Sequence, residues 1–184
     1  AASDVYKRQP LRFGYVGSIA RQKGVHVLIE ALNGLPDEAA TLDIYGDMDT
    51  FSGYAAELRA LARHPGVHFH GLLGRERLWD ALADLDALVL PTLWYEASPT
   101  VIREAFAAGL PIVASAIGAP GRMVRDGVDG LLFAPGDAAA LRRALLALAE
   151  QPALLPRLRA GVAPPRTVAD HVAQIEAIYQ QIKN

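Results

Sequence analysis

Short apolar runs and stretches with helical spacing alternate along this chain. Leu11 to Val16 reads as a strand that Gly17 ends, and Val25 to Leu32 places apolar residues at Val25, Leu28, Ile29 and Leu32, the spacing of one helix face. Thr41 to Tyr45 is a second strand, closed by Gly46. Tyr54 to Arg63 is a helix that Pro65-Gly66 stops. Val67 to His70 alternates with period two and ends at Gly71; Arg75 to Ala83 is again helical. Ala87 to Leu90 is short and wholly apolar, as a strand buried on both faces should be. Ser98-Pro99 predicts a helix start, with serine as the cap and proline at the first helical position, and Gly109 closes that helix. Ile112 to Ala114 and Gly130 to Phe133 complete six strands. Asp137 caps a long Ala/Leu helix to about Glu150, and helical stretches follow near Leu154 to Ala160 and Val168 to Ile182.

This alternation predicts an α/β fold: a Rossmann-like parallel sheet of about six strands with helices on both faces. In such sheets ligands bind beyond the carboxyl ends of the strands. The loops after Val16, Tyr45, His70, Leu90 and Ala114 are therefore where chemistry is expected. The pattern divides the chain into a Rossmann-like unit over 10–163 and a C-terminal helix over 164–184, set off by Pro164-Pro165 and expected to be an arm reaching another domain. Residues 1–9 match nothing downstream and carry one of only three lysines, Lys7, Lys23 and Lys183, in a body that prefers arginine. They are expected to be foreign to the rest or a linker, which would make the chain a fragment.

Composition narrows the field further. With 184 residues and 52 % hydrophobic content the chain can bury a sizeable core. Eighteen Lys and Arg against 20 Asp and Glu give a net charge of −2, which speaks against a basic nucleic-acid binder. The absence of cysteine excludes disulfides, thiol catalysis and cysteine-ligated metal. No apolar stretch is long enough to cross a bilayer. With no leader recognised, the expected location is cytoplasmic, and any peripheral contact with the inner membrane face would belong to the full-length protein.

Two loops carry candidate chemistry. Gly17-Ser18-Ile19-Ala20-Arg21-Gln22-Lys23-Gly24 sets two glycines and two cations before a helix, where peptide N–H groups and the helix dipole favour phosphate. It is neither the dinucleotide G-x-G-x-x-G nor a P-loop, and taken alone it reads equally well as a solvated helix start. The second loop runs from Pro91 to Ala105, with Glu96 before a helix and Glu104 in its second turn. The N–H groups of Thr100 and Val101 would be free to hold phosphate. The Glu104 carboxylate can accept from two vicinal hydroxyls, as on a ribose, and Glu96 can do the same for a sugar. On spacing alone, a dipole-facing Glu and an exposed mid-helix Glu explain the pair as well.

Five segments in order decide between these readings. Gly17-Ser18-Ile19 with Lys23-Gly24-Val25, Asp86 to Pro91 with Trp94 and Glu96, the Glu96/Glu104 pair as E-x7-E, Glu104-Ala105-Phe106-Ala107-Ala108-Gly109-Leu110-Pro111-Ile112-Val113-Ala114, and Val124 to Phe133 with Gly136-Asp137 together resemble the C-terminal, donor-binding domain of retaining GT-B glycosyltransferases of family 4. The resemblance runs from about Leu11 to Leu146. It implies half of a GT-B fold that binds a nucleoside-diphosphate sugar (UDP-, GDP- or ADP-linked) and takes part in metal-independent, retaining sugar transfer with no cofactor. It implies Lys23 on the diphosphate, helped by Arg21, with Gly17 and Ser18 forming the loop. It places Thr100 and Val101 on phosphate, Glu104 on the ribose, Glu96 on the transferred sugar, and Gly71 and Leu72 beside the base. Lys23 and Glu96 are thus the catalytic candidates, and no metal site is expected. The partner implied is an N-terminal acceptor-binding domain, without which this chain alone should be inactive.

The chain departs from the family pattern at Arg122, where a glutamate is usual in the loop Gly118 to Val124. This departure leaves open a non-catalytic, degenerate module, and the shared architecture leaves open a nucleotide-sugar epimerase. Asp47-Met48-Asp49 has the D-x-D spacing of a metal site but offers no third ligand, and His68 and His70 read as structural histidines. Trp79 reads as a packing residue, while Trp94 is open between packing and the site.

Overall fold

A computed structural model describes residues 10–182. The expectation for residues 1–9 lies outside the described residues. Six strands, β1 (Leu11–Val16), β2 (Ala40–Tyr45), β3 (Val67–Gly71), β4 (Ala87–Leu90), β5 (Ile112–Ser115) and β6 (Gly130–Phe133), form one sheet in the order β3-β2-β1-β4-β5-β6. Every pairing is parallel. The chain therefore runs outward from β1 to β3, then returns to the other side of β1 for β4. That reversal leaves a crevice at the carboxyl ends of β1 and β4.

The helices are α1 (Val25–Leu32), α2 (Ser52–Leu61), α3 (Leu78–Ala83), α4 (Thr100–Ala107), α5 (Pro120–Met123), α6 (Ala138–Glu150), α7 (Leu154–Gly161) and α8 (Val168–Ile182). One core gathers Phe13 and Tyr15 of β1 and Leu42 and Ile44 of β2 under α1, α2, α6 and α7. The other sets Leu88 and Leu90 of β4, with Ile112 and Ala114 of β5, against α3 and α4. Successive residues of β4 thus enter opposite cores, Ala87 and Val89 one and Leu88 and Leu90 the other. This is the alternation of side chains across a pleated strand, and it explains why the strand is apolar throughout.

The elements lie where the apolar pattern puts them, with three corrections. Ser98 does not cap α4. Pro99 holds that position with extended backbone (φ −68°, ψ 115°), and no side chain caps the helix. The four-residue α5 was not expected at all; a Pro at its start and a Gly at its second position give no helical periodicity to read. In addition, the Arg75–Arg77 stretch is a separate 3-10 turn before α3. The described part of α8 buries no residue.

Candidate functional site

A cleft of about 240 Å³ opens at the crevice between β1 and β4. Gly17 lines it from the end of β1, Lys23 from the turn before α1, and Glu96, Pro99, Thr100, Val101 and Glu104 from the β4–α4 loop and the first turns of α4. Residues 87 positions apart in the chain thus meet because two parallel strands end side by side. Thr100 and Val101 are the leading residues of α4, whose N–H groups have no acceptor within the helix. The positive end of the helix dipole is added to theirs. Glu104, one turn further along, also faces the cleft, and among the described residues its carboxylate has no hydrogen-bond or ion-pair partner.

Lys23 and Glu96 meet directly, with Nζ 2.8 Å from Oε1. Their side chains are 23 % and 14 % exposed, so water screens this pair less than a surface pair. The loops that carry them are locked together. The Leu93 N–H donates to the Gln22 carbonyl at 2.8 Å, and the Ala119 N–H donates to the Glu96 carbonyl at 2.9 Å. Gly24 has a φ of 71°, and a Cβ there would overlap the Pro91 carbonyl oxygen. Gly118 has a φ of 60°, and a Cβ there would lie 2.9 Å from the Glu96 nitrogen. Both positions demand glycine for handedness and for space.

The other sequence candidates lie outside this cleft. The Ser18 carbonyl accepts from the buried Tyr15 hydroxyl at 2.8 Å. Arg21 forms an ion pair with Glu57 of α2, and its guanidinium lies 5.0 Å from the Tyr54 ring centroid. Gly71 ends β3, where its carbonyl accepts from the Gly46 N–H at 2.8 Å, and Leu72 beyond it is 80 % exposed. Sequence reasoning missed Tyr15 and Pro120, which line the cleft, and named Pro91 and Thr92 only as part of the second candidate loop. Tyr15 is 2 % exposed. Burial, reinforced by the nearby Glu96 charge, pushes its phenol above the usual tyrosine range, so it stays protonated and donates. The available signal was a tyrosine inside an apolar strand, whose hydroxyl needs a partner at the strand's end.

The acidic and histidine motifs are engaged elsewhere. Asp47 accepts from the Asp49 N–H at 2.8 Å and from the Thr50 hydroxyl, closing a turn before α2; the Thr50 hydroxyl first, then the Asp49 N–H, holds its carboxyl below the usual range. A second D-x-D, Asp84-Leu85-Asp86, precedes β4 at the end of the sheet away from the cleft, where Asp86 accepts from Arg12 and Arg159. His70 lies 2.6 Å from Asp43 and stacks on Tyr45, ring centroids 4.6 Å apart. Among the described residues no group of three or more His, Asp or Glu is arranged to hold a metal ion. Trp79 and Trp94 are both about half exposed, so neither is the packing residue that Trp79 was expected to be. No helix among the described residues is long and apolar enough to cross a membrane.

Comparison with known proteins gives these positions a context. The model of the family described as "Glycosyl transferases group 1" matches residues 10–151. Glycogen synthase of Mycobacterium tuberculosis is 37 % identical over 166 residues, covering 88 % of this chain and 39 % of that protein. Phosphatidyl-myo-inositol mannosyltransferase of Mycobacterium leprae is 33 % identical over 168 residues, covering 88 % and 44 %. Among solved structures, sucrose-phosphate synthase of Thermosynechococcus elongatus superposes with a TM-score of 0.78 at 28 % identity, over 94 % of this chain and 45 % of that one. HepE of Anabaena, solved in complex with UDP and glucose, gives 0.76 at 26 % identity, over 95 % and 47 %. The chain thus spans less than half the length of each of these proteins.

Proposed function

This chain belongs to the group 1 glycosyl transferases, and we propose that it is the donor-binding half of an enzyme that transfers a sugar from a nucleoside-diphosphate sugar. The observation that carries this reading is the meeting of Lys23, Glu96, Glu104 and the start of α4 in one cleft at the sheet's switch point. The likeness to HepE, solved with UDP and glucose, supports a uridine donor as the first to test.

In this reading the acceptor hydroxyl oxygen bonds to the anomeric carbon and its proton passes to the departing diphosphate oxygen, while the bond from that carbon to the diphosphate oxygen breaks. The nucleoside diphosphate leaves with the electron pair and gathers negative charge. The Lys23 ammonium and the N–H groups of Thr100 and Val101 stabilise that charge from fixed positions. Glu104 accepts from the two ribose hydroxyls and Glu96 from the transferred sugar. These groups supply the positive charge without a metal, and retention of configuration follows from the family resemblance. Arg21 would leave Glu57 to assist, and the loop at Gly71 and Leu72 would border the base. The helix α8 carries Val168, Val172, Ile175, Tyr179 and Ile182 along one exposed face. Its proposed partner is the acceptor-binding half, which would make this chain inactive alone.

Amide NMR of the chain with UDP, GDP or ADP in the presence of EDTA tests this. Binding should move the amide signals of Gly17, Thr100 and Val101 first. Saturable shifts confined to residues outside the cleft would contradict it.

A further inference from the structure

The two candidate catalytic side chains hold each other. Lys23 Nζ lies 2.8 Å from Glu96 Oε1, and both side chains are mostly buried. The proposed function assigns them to different parts of the donor, the lysine to the diphosphate and the glutamate to the sugar. While they stay paired the glutamate compensates the ammonium's charge, so a diphosphate that approaches Lys23 competes with Glu96 for it. The contact is built into the backbone, because the Leu93–Gln22 and Ala119–Glu96 hydrogen bonds fix the loops on either side of it. The local charge sharpens the conflict: the lining carries one cation, Lys23, against two carboxylates, Glu96 and Glu104. An entering diphosphate meets an ammonium that is already neutralised.

We propose that donor binding exchanges the partners of this pair, which makes Glu96 the residue that selects a nucleotide sugar over the free nucleoside diphosphate. The inference rests on the donor-binding reading above. A free diphosphate that takes Lys23 brings its own negative charge beside the part-buried Glu96 carboxylate and draws away that carboxylate's partner, which is penalised. A nucleotide sugar takes Lys23 with its diphosphate and repays Glu96 with its sugar hydroxyls. After transfer the product diphosphate no longer carries those hydroxyls. Glu96 then returns to Lys23 and weakens the hold on the product. One ion pair thus favours substrate entry and product release.

Calorimetric titration of the 184-residue chain tests the exchange. UDP, GDP and ADP are each used alone and as the glucose conjugate, and GDP also as the mannose conjugate. In Glu96→Gln, Lys23 has lost its internal competitor. Affinity for the free nucleotide should rise by about three- to tenfold, as expected for a part-buried pair, and the preference for the conjugate should shrink. Free-nucleotide affinity that is unchanged or weaker in folded Glu96→Gln overturns the exchange. The donor-binding reading has its own control: Lys23→Gln should weaken free nucleotide and conjugate alike. Absence of binding of any nucleotide to the unmutated chain overturns both. Carbon-13 labelling of glutamate side chains checks the exchange without a substitution. The Glu96 carboxyl signal should move when free nucleotide is added, and a signal that stays in place overturns the proposal.

Discussion

The Glu104 carboxylate has no partner among the described residues, yet it sits one turn inside a helix whose start faces the same cleft. A carboxylate kept free at such a place is available to a ligand's hydroxyls. Glu104→Ala should leave the fold intact and weaken nucleotide binding by roughly 1.5–3 kcal/mol, the usual worth of charge-assisted hydrogen bonds; calorimetry reads this directly. Gly24 is the opposite case, where a residue acts by having no side chain. Gly24→Ala combines left-handed strain, of about 1–3 kcal/mol, with overlap on the Pro91 carbonyl. It should lower the melting temperature and also pull the Lys23 and Glu96 loops apart. At this scale the sequence showed the charged residues of the site together with Gly17, Thr100 and Val101, and concealed Tyr15 and Pro120. Lys23 stands out beside Gly24, and Glu96 and Glu104 by their fixed spacing around a helix start. Tyr15 and Pro120 enter the cleft only through tertiary placement. The partners that hold Arg21, Glu57 and Tyr54, lie more than 30 residues away in the chain and were not legible from it.

Elements were legible wherever burial imposed a period. The strands of a sheet covered on both faces are short apolar runs between glycines, and the helices above them repeat apolar residues every three or four positions. The start of α4 was misplaced by one residue because proline fixes φ alone. A φ of −68° suits both the first helical position and the cap, and ψ, here 115°, separates them. The shift leaves Thr100 and Val101 as the leading donors. The start of α6 was legible, since Asp137 accepts from the Ala140 N–H at 2.8 Å. Asp137→Ala should lower stability by about 1 kcal/mol, measured by denaturant unfolding. An unchanged midpoint would show that packing of Leu141, Leu145 and Leu148 alone holds that helix.

For the whole molecule, the strand order sets where chemistry can occur. Reversal of the chain at β1 and β4 opens one crevice, and the cleft lies in it. The exposed α8 adds nothing to either core. Truncation after residue 163 should therefore leave thermal stability unchanged while removing the surface proposed for the acceptor-binding half. A marked fall in melting temperature would show that α8 belongs to this unit. The sequence places a break at Pro164-Pro165 and has no means of showing what α8 meets.

The most direct measurement is calorimetric titration of the chain with UDP, GDP and ADP, run with Mg²⁺ and again with EDTA. The account predicts saturable, one-to-one binding of at least one of them, of equal strength in both buffers and weakened by Lys23→Ala. Binding that requires Mg²⁺, or no binding of any of the three to the folded chain, would contradict it.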